Sequence, residues 1–164
     1  MNISMNKLLL LVPIILVIAI DSRAAPWRGI FPLKSTRADV ERLLGKPIDN
    51  ESRFLAHYQF VNERATISYA TDYDLAECKG PCCPLRRDIV THIDVESIAK
   101  HTFSSLAIDK SKFESFPLVE DTNVRIYDDH EAGVEYWVSM KDDALLSIRY
   151  LASAKECAQL RKKL

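Results

Sequence analysis

Apolar residues recur with two different periods along the chain, and these periods predict short strands and short helices. Tyr58 and Phe60 alternate with polar neighbours, and the alternation resumes across residues 65–69, as in strands that bury one face each. A turn at Asn62–Glu63 would join the two strands and place Tyr58 opposite Ile67. The first half of the chain therefore predicts a hairpin with one apolar face.

Further alternating runs predict four more strands. Their apolar faces carry Ile89, Thr91, Ile93 and Val95 in the first, Val124 and Ile126 in the second, Val134, Tyr136, Val138 and Met140 in the third, and Leu146, Ile148 and Tyr150 in the last. The opposite face of the first of these strands carries His92 and Asp94.

A short helix is predicted just before the first hairpin. Thr36 is a good N-cap, and Asp39 stands three residues later as its capping-box partner. Val40, Leu43 and Leu44 then fall on one side of a helix, and a Gly-Lys-Pro sequence ends it. A helix this short depends on packing for stability, so we expect it to cover a sheet.

The order of one helix and three strands is predicted twice. Asp109 can cap a second short helix that carries Phe113 and Phe116. We therefore predict an α+β fold, with a curved antiparallel sheet built from two degenerate α-β-β-β units at residues 27–97 and 104–152, and helices mainly on one face. A single α+β sheet without a repeat is the alternative.

The segment from Trp27 to Pro47 also carries a resemblance. Its pattern W-R-G-I-x-P-L-x-S-T-R-x-D-V-E-x-L-L-G-x-P resembles the start of an uncharacterised group of exported bacterial proteins. More distantly, it is similar to the small outer-membrane assembly lipoproteins of the SmpA/OmlA type and to the β-lactamase-inhibitor-like fold. The resemblance implies one curved antiparallel sheet with helices on one face. The lipoprotein family uses a lipobox cysteine, and no cysteine precedes Cys78 here.

The first residues have the features of a signal peptide. Lys7 provides a positive charge, residues 8–20 are apolar, and Ser22-Arg23-Ala24 forms a small-x-small cleavage site. We predict cleavage of residues 1–24, which would leave one domain at 25–164 in the periplasm or outside the cell, with no stable membrane insertion. An uncleaved anchor is the alternative, but the apolar run is shorter than the ~20 residues that a span needs.

A C-terminal helix is predicted at residues 153–164. Ser153 and Glu156 form a second capping box, and Cys157 lies on the apolar side together with Leu160. This inward position of Cys157 favours a covalent link to the rest of the domain.

Four cysteines in an exported chain predict disulfides. A bond between the neighbours Cys82 and Cys83 would be strained and is the least favoured. We predict two disulfides, with Cys157 joined to Cys78 or Cys83 and the other two loop cysteines paired. The alternative is a zinc ion held by the cysteines with His92, although C-x3-C-C is not a usual zinc spacing.

Composition excludes several functions. The chain has 22 basic and 23 acidic residues, so no basic stripe argues for nucleic acid, and its 4 glycines include no phosphate-binding loop. We predict no cofactor and no metal. Two acidic runs do not match a calcium loop and are interpreted as solvated turn residues: Asp72, Asp74 and Glu77, and Asp128, Asp129 and Glu131.

A hydrolytic site can be assembled only in outline. His57 and His92 are predicted to share a sheet face with Asp94 and Ser68, which supplies the residue types of a Ser-His-Asp triad. No nucleophile elbow or oxyanion loop accompanies these residues. The sequence therefore favours a protein without catalytic residues.

The polar face of the second half is the predicted partner surface. If Tyr136 lies opposite Tyr150 in the last hairpin, Trp137 lies opposite Arg149. In the preceding hairpin, alternation allows Arg125 opposite Glu135, and the four residues Arg125, Glu135, Trp137 and Arg149 have the composition of an interaction hot spot. The alternative is that a loop or the C-terminal helix covers Trp137 and makes it a core residue.

These observations predict an exported, non-catalytic binding or structural module of the bacterial cell envelope. Its partner would be a protein engaged through the sheet face. A small secreted hydrolase and a proteinaceous enzyme inhibitor are the alternatives.

Overall fold

The computed structural model describes residues 26–49, 52–77, 82 and 85–162. The predicted signal peptide and its cleavage site lie outside the described residues, as do Cys78 and Cys83. No helix in the described part of the chain is long and apolar enough to span a membrane.

The described residues form an α+β fold around one open, seven-stranded antiparallel sheet, which confirms the predicted class. The strand order is β1-β2-β3-β7-β6-β5-β4. The strands are β1 (Leu55–Gln59), β2 (Glu63–Tyr69), β3 (Val90–Ser97), β4 (Glu114–Pro117), β5 (Val124–Asp129), β6 (Val134–Ser139) and β7 (Leu145–Tyr150). The α-helices are α1 (Arg37–Leu44), α2 (Asp72–Glu77) and α3 (Ala154–Arg161), and short 3-10 helices span Phe103–Ser105 and Lys110–Lys112.

One face of the sheet, called the core face below, carries two apolar clusters. In the first, Val40 of α1 packs on the inner strands with Ile67 and Ile93, all three fully buried. In the second, Phe103 covers Val138 and Leu145. Burying these apolar side chains is the main favourable contribution to folding. The opposite face carries most of the polar residues of the strands, but on β5 it also carries the buried Val124 and Ile126, which were predicted to share a face with Tyr136 and Val138.

The predicted capping box of α1 is present, and one position on its apolar side is corrected. The Thr36 side chain accepts a hydrogen bond from the Asp39 backbone N–H, and the Asp39 carboxylate accepts one from the Thr36 backbone N–H. Gly45 adopts a positive φ of 84° at the helix end, a conformation that glycine reaches without strain. Val40 is buried and Leu44 packs on the core, but Leu43 is 43% exposed, so the apolar side is narrower than predicted.

The first hairpin has the predicted face but a different register. Tyr58 lies opposite Ala65, because the turn is two residues long and Phe60 N–H donates to the Glu63 carbonyl. The predicted turn at Asn62–Glu63 is therefore wrong. The shift equals two residues, so every side chain keeps its face.

The start of β3 differs from the simple alternation. A bulge between Ser68 and Tyr69 shifts the β2–β3 register, and Val90 becomes the fully buried residue. Ile89 makes an isolated bridge with Thr36 outside the strand. The prediction of Ile89 on the apolar face of this strand is wrong, since a bulge adds a residue that alternation cannot foresee.

The second helix of the predicted repeat is replaced by a 3-10 turn. Asp109 does act as a cap, since its side chain accepts the Ser111 N–H. Only Lys110–Lys112 is helical, and Phe116 lies in the edge strand β4, where it is 43% exposed. The predicted helix across these residues is therefore wrong.

The β6–β7 hairpin also has the predicted face and a shifted register. Val134, not Tyr136, lies opposite Tyr150, and a bulge follows Trp137. The bulge places Leu145 against Val138 in the core and leaves Leu146 42% exposed. Leu146 was predicted on the apolar face, so that assignment is wrong.

The C-terminal helix α3 is attached to the domain by two polar contacts and a disulfide. Its capping box of Ser153 and Glu156 is present as predicted. The Glu156 carboxylate also pairs with the Lys34 ammonium, and Ala154 N–H donates to the His130 carbonyl. Burial acts to raise the pKa of Glu156, but the hydrogen bonds from Lys34 and Ser153 outweigh it, and the net pKa is lowered.

A disulfide completes this attachment. Cys157 is bonded to Cys82, and the two residues are 75 positions apart. The prediction that Cys157 pairs with Cys78 or Cys83 is therefore wrong in the partner, although the link from the loop to the C-terminal helix is present. Spacing alone could not choose between the adjacent Cys82 and Cys83, because the choice depends on how the loop approaches α3.

Candidate functional site

A row of polar residues crosses all seven strands on the face opposite the core, called the polar face below. Each member lies directly opposite the next: His57, Thr66, Asp94, Arg149, Glu135, Asp128 and Glu114. Directly opposed residues share a face and lie about 4.5–5.5 Å apart at Cβ. The sheet therefore brings residues from both halves of the chain into one continuous polar row.

Arg149 is at the centre of a group of side chains in and beside this row that contact one another. Its Nε donates a 2.6 Å hydrogen bond to Asp94 Oδ1, and its Nη1 lies 3.8 Å from Glu135 Oε2. Its guanidinium carbon lies 4.6 Å from the centroid of the Trp137 ring, within the range of a cation–π contact. Trp137 Nε1 donates to Glu135 at 3.1 Å. These four residues are called the Arg149 cluster below.

The side chains of the Arg149 cluster are mostly buried, but each keeps some exposure to solvent. The side chains of Arg149, Asp94 and Glu135 are 30%, 24% and 16% exposed. Trp137 is of intermediate burial. Trp137 is therefore neither a fully exposed surface residue nor a fully buried core residue, which were the two alternatives from the sequence. The Trp137 ring contacts the Arg149 guanidinium, its Nε1 donates to Glu135, and part of the side chain is exposed to solvent.

Arg125 does not belong to this cluster. It lies opposite Val138, on the core face, and its Nη1 is 3.4 Å from Ser115 Oγ. The predicted pairing of Arg125 with Glu135 is wrong, because Glu135 lies opposite Asp128. The structure therefore brings together Glu135, Trp137 and Arg149 and places the fourth predicted residue on the other side of the sheet.

The residues of the hypothetical hydrolytic triad do share the polar face. Ser68 lies opposite His92, but Ser68 is buried, and no hydrogen bond between their side chains occurs among the described residues. His92 Nδ1 is 3.2 Å from Thr91 Oγ1, and Nε2 is 3.5 Å from Asp94 Oδ2. Burial lowers the pKa of His92, and the nearby Asp94 carboxylate opposes this change. The hydroxyl within hydrogen-bond distance of the imidazole is therefore that of Thr91, which also donates to the Ser68 carbonyl, and not the predicted Ser68 hydroxyl.

Within the described part of the chain, no group of three or more His, Cys, Asp and Glu side chains is arranged to hold a metal ion. Cys82 and Cys157 are joined as a disulfide, so they are not available as the thiolate ligands of the zinc alternative. The chemistry that the Arg149 cluster offers is recognition by charge, hydrogen bonds and an aromatic surface.

Asp94 was not included among the predicted partner residues, although it makes the shortest bond to Arg149. Alternation had already placed it on the face with His92. Nothing in the local sequence shows that β3 pairs with β7, 55 residues later in the chain. Asp128 was interpreted as a solvated turn residue and is in fact 4% exposed, so that interpretation is wrong.

Comparison with protein-family models and with curated proteins finds no match for the chain. Among solved structures, the chain is similar to the crystal structure of a DUF4309 family protein (YjgB) from Bacillus subtilis subsp. subtilis str. 168. The TM-score is 0.52 and the identity is 16%, over 79% of this chain and 88% of that one. A similarity at this identity supports the fold and carries no ligand, activity or partner to this chain.

Proposed function

We propose that this protein is an exported, non-catalytic binding module of the bacterial cell envelope that engages a protein partner through the polar face of its sheet. The observation that supports this proposal most directly is the Arg149 cluster. Tryptophan and arginine are the residue types most enriched where interface residues contribute most to affinity. Here both are partly exposed and are held together before any partner binds.

Preorganisation is the physical basis of the proposal. Arg149 is held by Asp94, Glu135 and the ring of Trp137. A side chain that is already fixed loses little conformational entropy on binding, and such losses otherwise cost ~0.5–1.5 kcal/mol for each side chain that becomes immobilised. A partner could therefore pack on the exposed side of the tryptophan at a reduced entropic cost.

Charge suggests the kind of surface that would fit. Apart from the buried Asp128, the polar row carries three carboxylates, at Asp94, Glu135 and Glu114, and one arginine at Arg149. A partner patch with basic or hydrogen-bond-donating groups around an apolar centre would complement this row. We infer a protein partner because six of the seven members of the row are at least partly exposed, on strands from both halves of the chain.

Two arginines allow a matched test on opposite faces of the same sheet. The protein would be expressed in its own host with a C-terminal tag, and bound proteins would be captured from an envelope extract. Trp137→Ala and Arg149→Ala should each weaken capture, with a loss of ~2 kcal/mol or more in affinity for a hot-spot residue. Arg125→Ala should leave capture within twofold of the wild type.

Comparison of the variants decides which face of the sheet binds the partner. If Arg125→Ala removed the partner while Trp137→Ala retained it, the partner surface would be on the core face and the proposal would be overturned. Equal capture by all variants would show that the sheet is not the interface. Circular dichroism of each variant would confirm that the fold is retained.

Export is a separate part of the proposal and has a separate test. It rests on the features of residues 1–24, and the Cys82–Cys157 disulfide is compatible with an oxidising compartment. N-terminal sequencing of protein from the native host should begin at Ala25. A chain that retains Met1 and sediments with membranes would contradict export as a soluble protein.

We also infer that the two halves, 27–97 and 104–152, derive from one duplicated unit. The strand order supports this inference, since β1-β2-β3 and β5-β6-β7 are both meanders and they meet where β3 pairs with β7. Superposition of 55–97 on 124–150 should align all three strands in the same connectivity. Failure of the third strand to align would favour a single sheet without a repeat.

A further inference from the structure

A small cavity lies at the end of the sheet between the β5–β6 turn and the start of α3. Its volume is about 240 Å³. Its apolar lining comes from Leu151, Ala152, Ala154 and Cys157, and Asp128 is one of its polar lining residues. His130 also lines it and is 64% exposed, so it marks the side open to solvent. This space is called the α3 cavity below.

Asp128 is the unusual group in the α3 cavity. It is 4% exposed, and its Oδ2 is 2.9 Å from His130 Nδ1. Its other oxygen, Oδ1, is buried and has no hydrogen-bond partner among the described residues. Buried carboxylate oxygens are normally satisfied, because desolvation without a partner is unfavourable. An orphan acceptor on a residue that lines a cavity therefore points to a donor that arrives from outside.

The charges around Asp128 specify the sign of that donor. Glu114 lies directly opposite Asp128 on one side and Glu135 on the other. Like charges that are directly opposed across strands destabilise a sheet. Burial raises the pKa of Asp128, the His130 contact opposes this change, and Glu135 and Glu114 add to it. A cation bound at Oδ1 would offset this accumulation of negative charge.

The lining distinguishes an organic cation from a metal ion. Metal ions such as Ca²⁺ take 6–8 oxygen ligands, and no group of three or more metal-binding side chains is found in the described ranges. An ammonium group needs only a few acceptors, and a carboxylate oxygen is a strong one. The aliphatic surface of Leu151 and Ala152 suits a hydrocarbon stem that follows the ammonium into the cavity.

We propose that the α3 cavity binds an alkylammonium group, with Asp128 Oδ1 accepting its hydrogen bond and the aliphatic wall packing on its stem. This chemistry is shared by a lysine side chain of a protein and by a free aliphatic amine. The lining of the site contains Asp128 and residues of α3 but not Trp137 or Arg149, and its link to the Arg149 cluster is Glu135, which lies directly opposite Asp128.

The direct test uses n-butylammonium chloride as the probe. Backbone amide shifts of residues 151–154 would be followed by NMR during titration, with n-butanol and sodium chloride as controls for the stem and the ionic strength. We expect saturable shifts with a Kd on the order of 1–10 mM, which suits a ligand of five heavy atoms. Neither control should produce them.

Variants assign the binding to Asp128. Asp128→Asn should weaken binding at least tenfold, and Glu131→Gln, which removes an exposed carboxyl of the same turn, should leave it within twofold. If Asp128→Asn fails to fold, Ala154→Leu provides a second variant that narrows the cavity and should also weaken binding tenfold. The proposal is overturned if wild-type protein shows no saturable shifts, or if Asp128→Asn folds and binds as the wild type does.

Two further probes distinguish the source of the ammonium group. Nα-acetyl-lysine N-methylamide represents a lysine within a protein, and 1,5-diaminopentane represents a free amine. Binding of the lysine derivative at least as tightly as n-butylammonium would identify a protein lysine as the ligand. Exclusion of the lysine derivative with retention of the diamine would identify a free amine. Failure of both, together with n-butylammonium, would overturn the proposal.

Discussion

The guanidinium of Arg149 lies over the ring of Trp137, with its central carbon 4.6 Å from the ring centroid. These two residues are on neighbouring strands, but they are not directly opposite each other, because Trp137 lies opposite Ser147 and Arg149 opposite Glu135. The long arginine side chain reaches diagonally across the sheet to the ring. This contact links the charged row to the aromatic surface that we propose as the centre of an interface.

Replacing Trp137 with alanine should destabilise the fold moderately. The ring contacts Arg149, and it lies opposite Ile126, which is 6% exposed. We expect a loss of ~1–2 kcal/mol, less than for a buried aromatic residue and more than for a free surface residue. Urea denaturation measures this change. A loss above ~3 kcal/mol would mean that the tryptophan is core, and a loss under ~0.5 kcal/mol that its neighbours do not depend on it.

Trp137→Phe provides a matched control. It retains an aromatic ring for Arg149 and removes the indole N–H that donates to Glu135. Its cost should be ~0.5–1.5 kcal/mol, the contribution of one hydrogen bond. A cost equal to that of Trp137→Ala would show that the hydrogen bond, and not the ring, accounts for the effect.

Two adjacent leucines test the bulge in the last hairpin. Leu145 is 8% exposed and packs with Phe103 and Val138, whereas Leu146 is 42% exposed. Leu145→Ala should cost ~2–4 kcal/mol, because it leaves a cavity in the core. Leu146→Ala should stay within ~0.5 kcal/mol. Thermal and urea denaturation of the two variants would measure these losses in stability. A larger loss for Leu146→Ala than for Leu145→Ala would mean that the strand runs without the bulge.

The Cys82–Cys157 disulfide should make a large contribution to stability. It closes a loop of 75 residues in sequence separation, for which the chain-entropy picture gives about 4–5 kcal/mol. Cys157→Ser and Cys82→Ser should therefore destabilise the protein by similar amounts, and the double variant should add little further loss. Peptide mapping by tandem mass spectrometry of the unreduced protein should identify the linked residues. A fragment in which Cys157 is joined to Cys78 or Cys83 would contradict the structure.

The pH dependence of stability should report the burial of Asp128. Burial raises the pKa of this carboxyl in the folded state. A group whose pKa is raised by folding favours the folded state below its ordinary pKa and loses that contribution as the pH rises through the folded-state pKa. The stability of Asp128→Asn relative to the wild type should therefore increase as the pH rises from 3 to 7.

Denaturation series at several pH values would measure this difference. Glu131→Gln removes an exposed carboxyl from the same turn and is the matched control. If the Asp128→Asn difference did not change with pH, Asp128 would not be the buried, poorly satisfied acid that the structure shows. The proposed alkylammonium site would then lose one of its supports, and the NMR titration would have to be judged alone.

Local patterns in the sequence were sufficient for the class of fold and for the starts of α1 and α3. The capping boxes at Thr36 and Ser153 use side chains three residues from their partners, so all the information is in a short segment. Alternation assigned faces correctly in the first hairpin, and in the β6–β7 hairpin up to the bulge, since each register error there was two residues and the side-chain period is two. It failed for Leu146, beside the bulge, and for Arg125, which lies on the core face.

Tertiary structure decided the features that depend on contacts between distant parts of the chain. Bulges near Tyr69 and Trp137 exchange buried and exposed positions, and they depend on how neighbouring strands pack. The bond between Asp94 and Arg149 requires that β3 pair with β7, and the burial of Asp128 requires that α3 return to the end of the sheet. Strand order and long-range packing bring distant residues together, and no periodicity within a single segment encodes those distances.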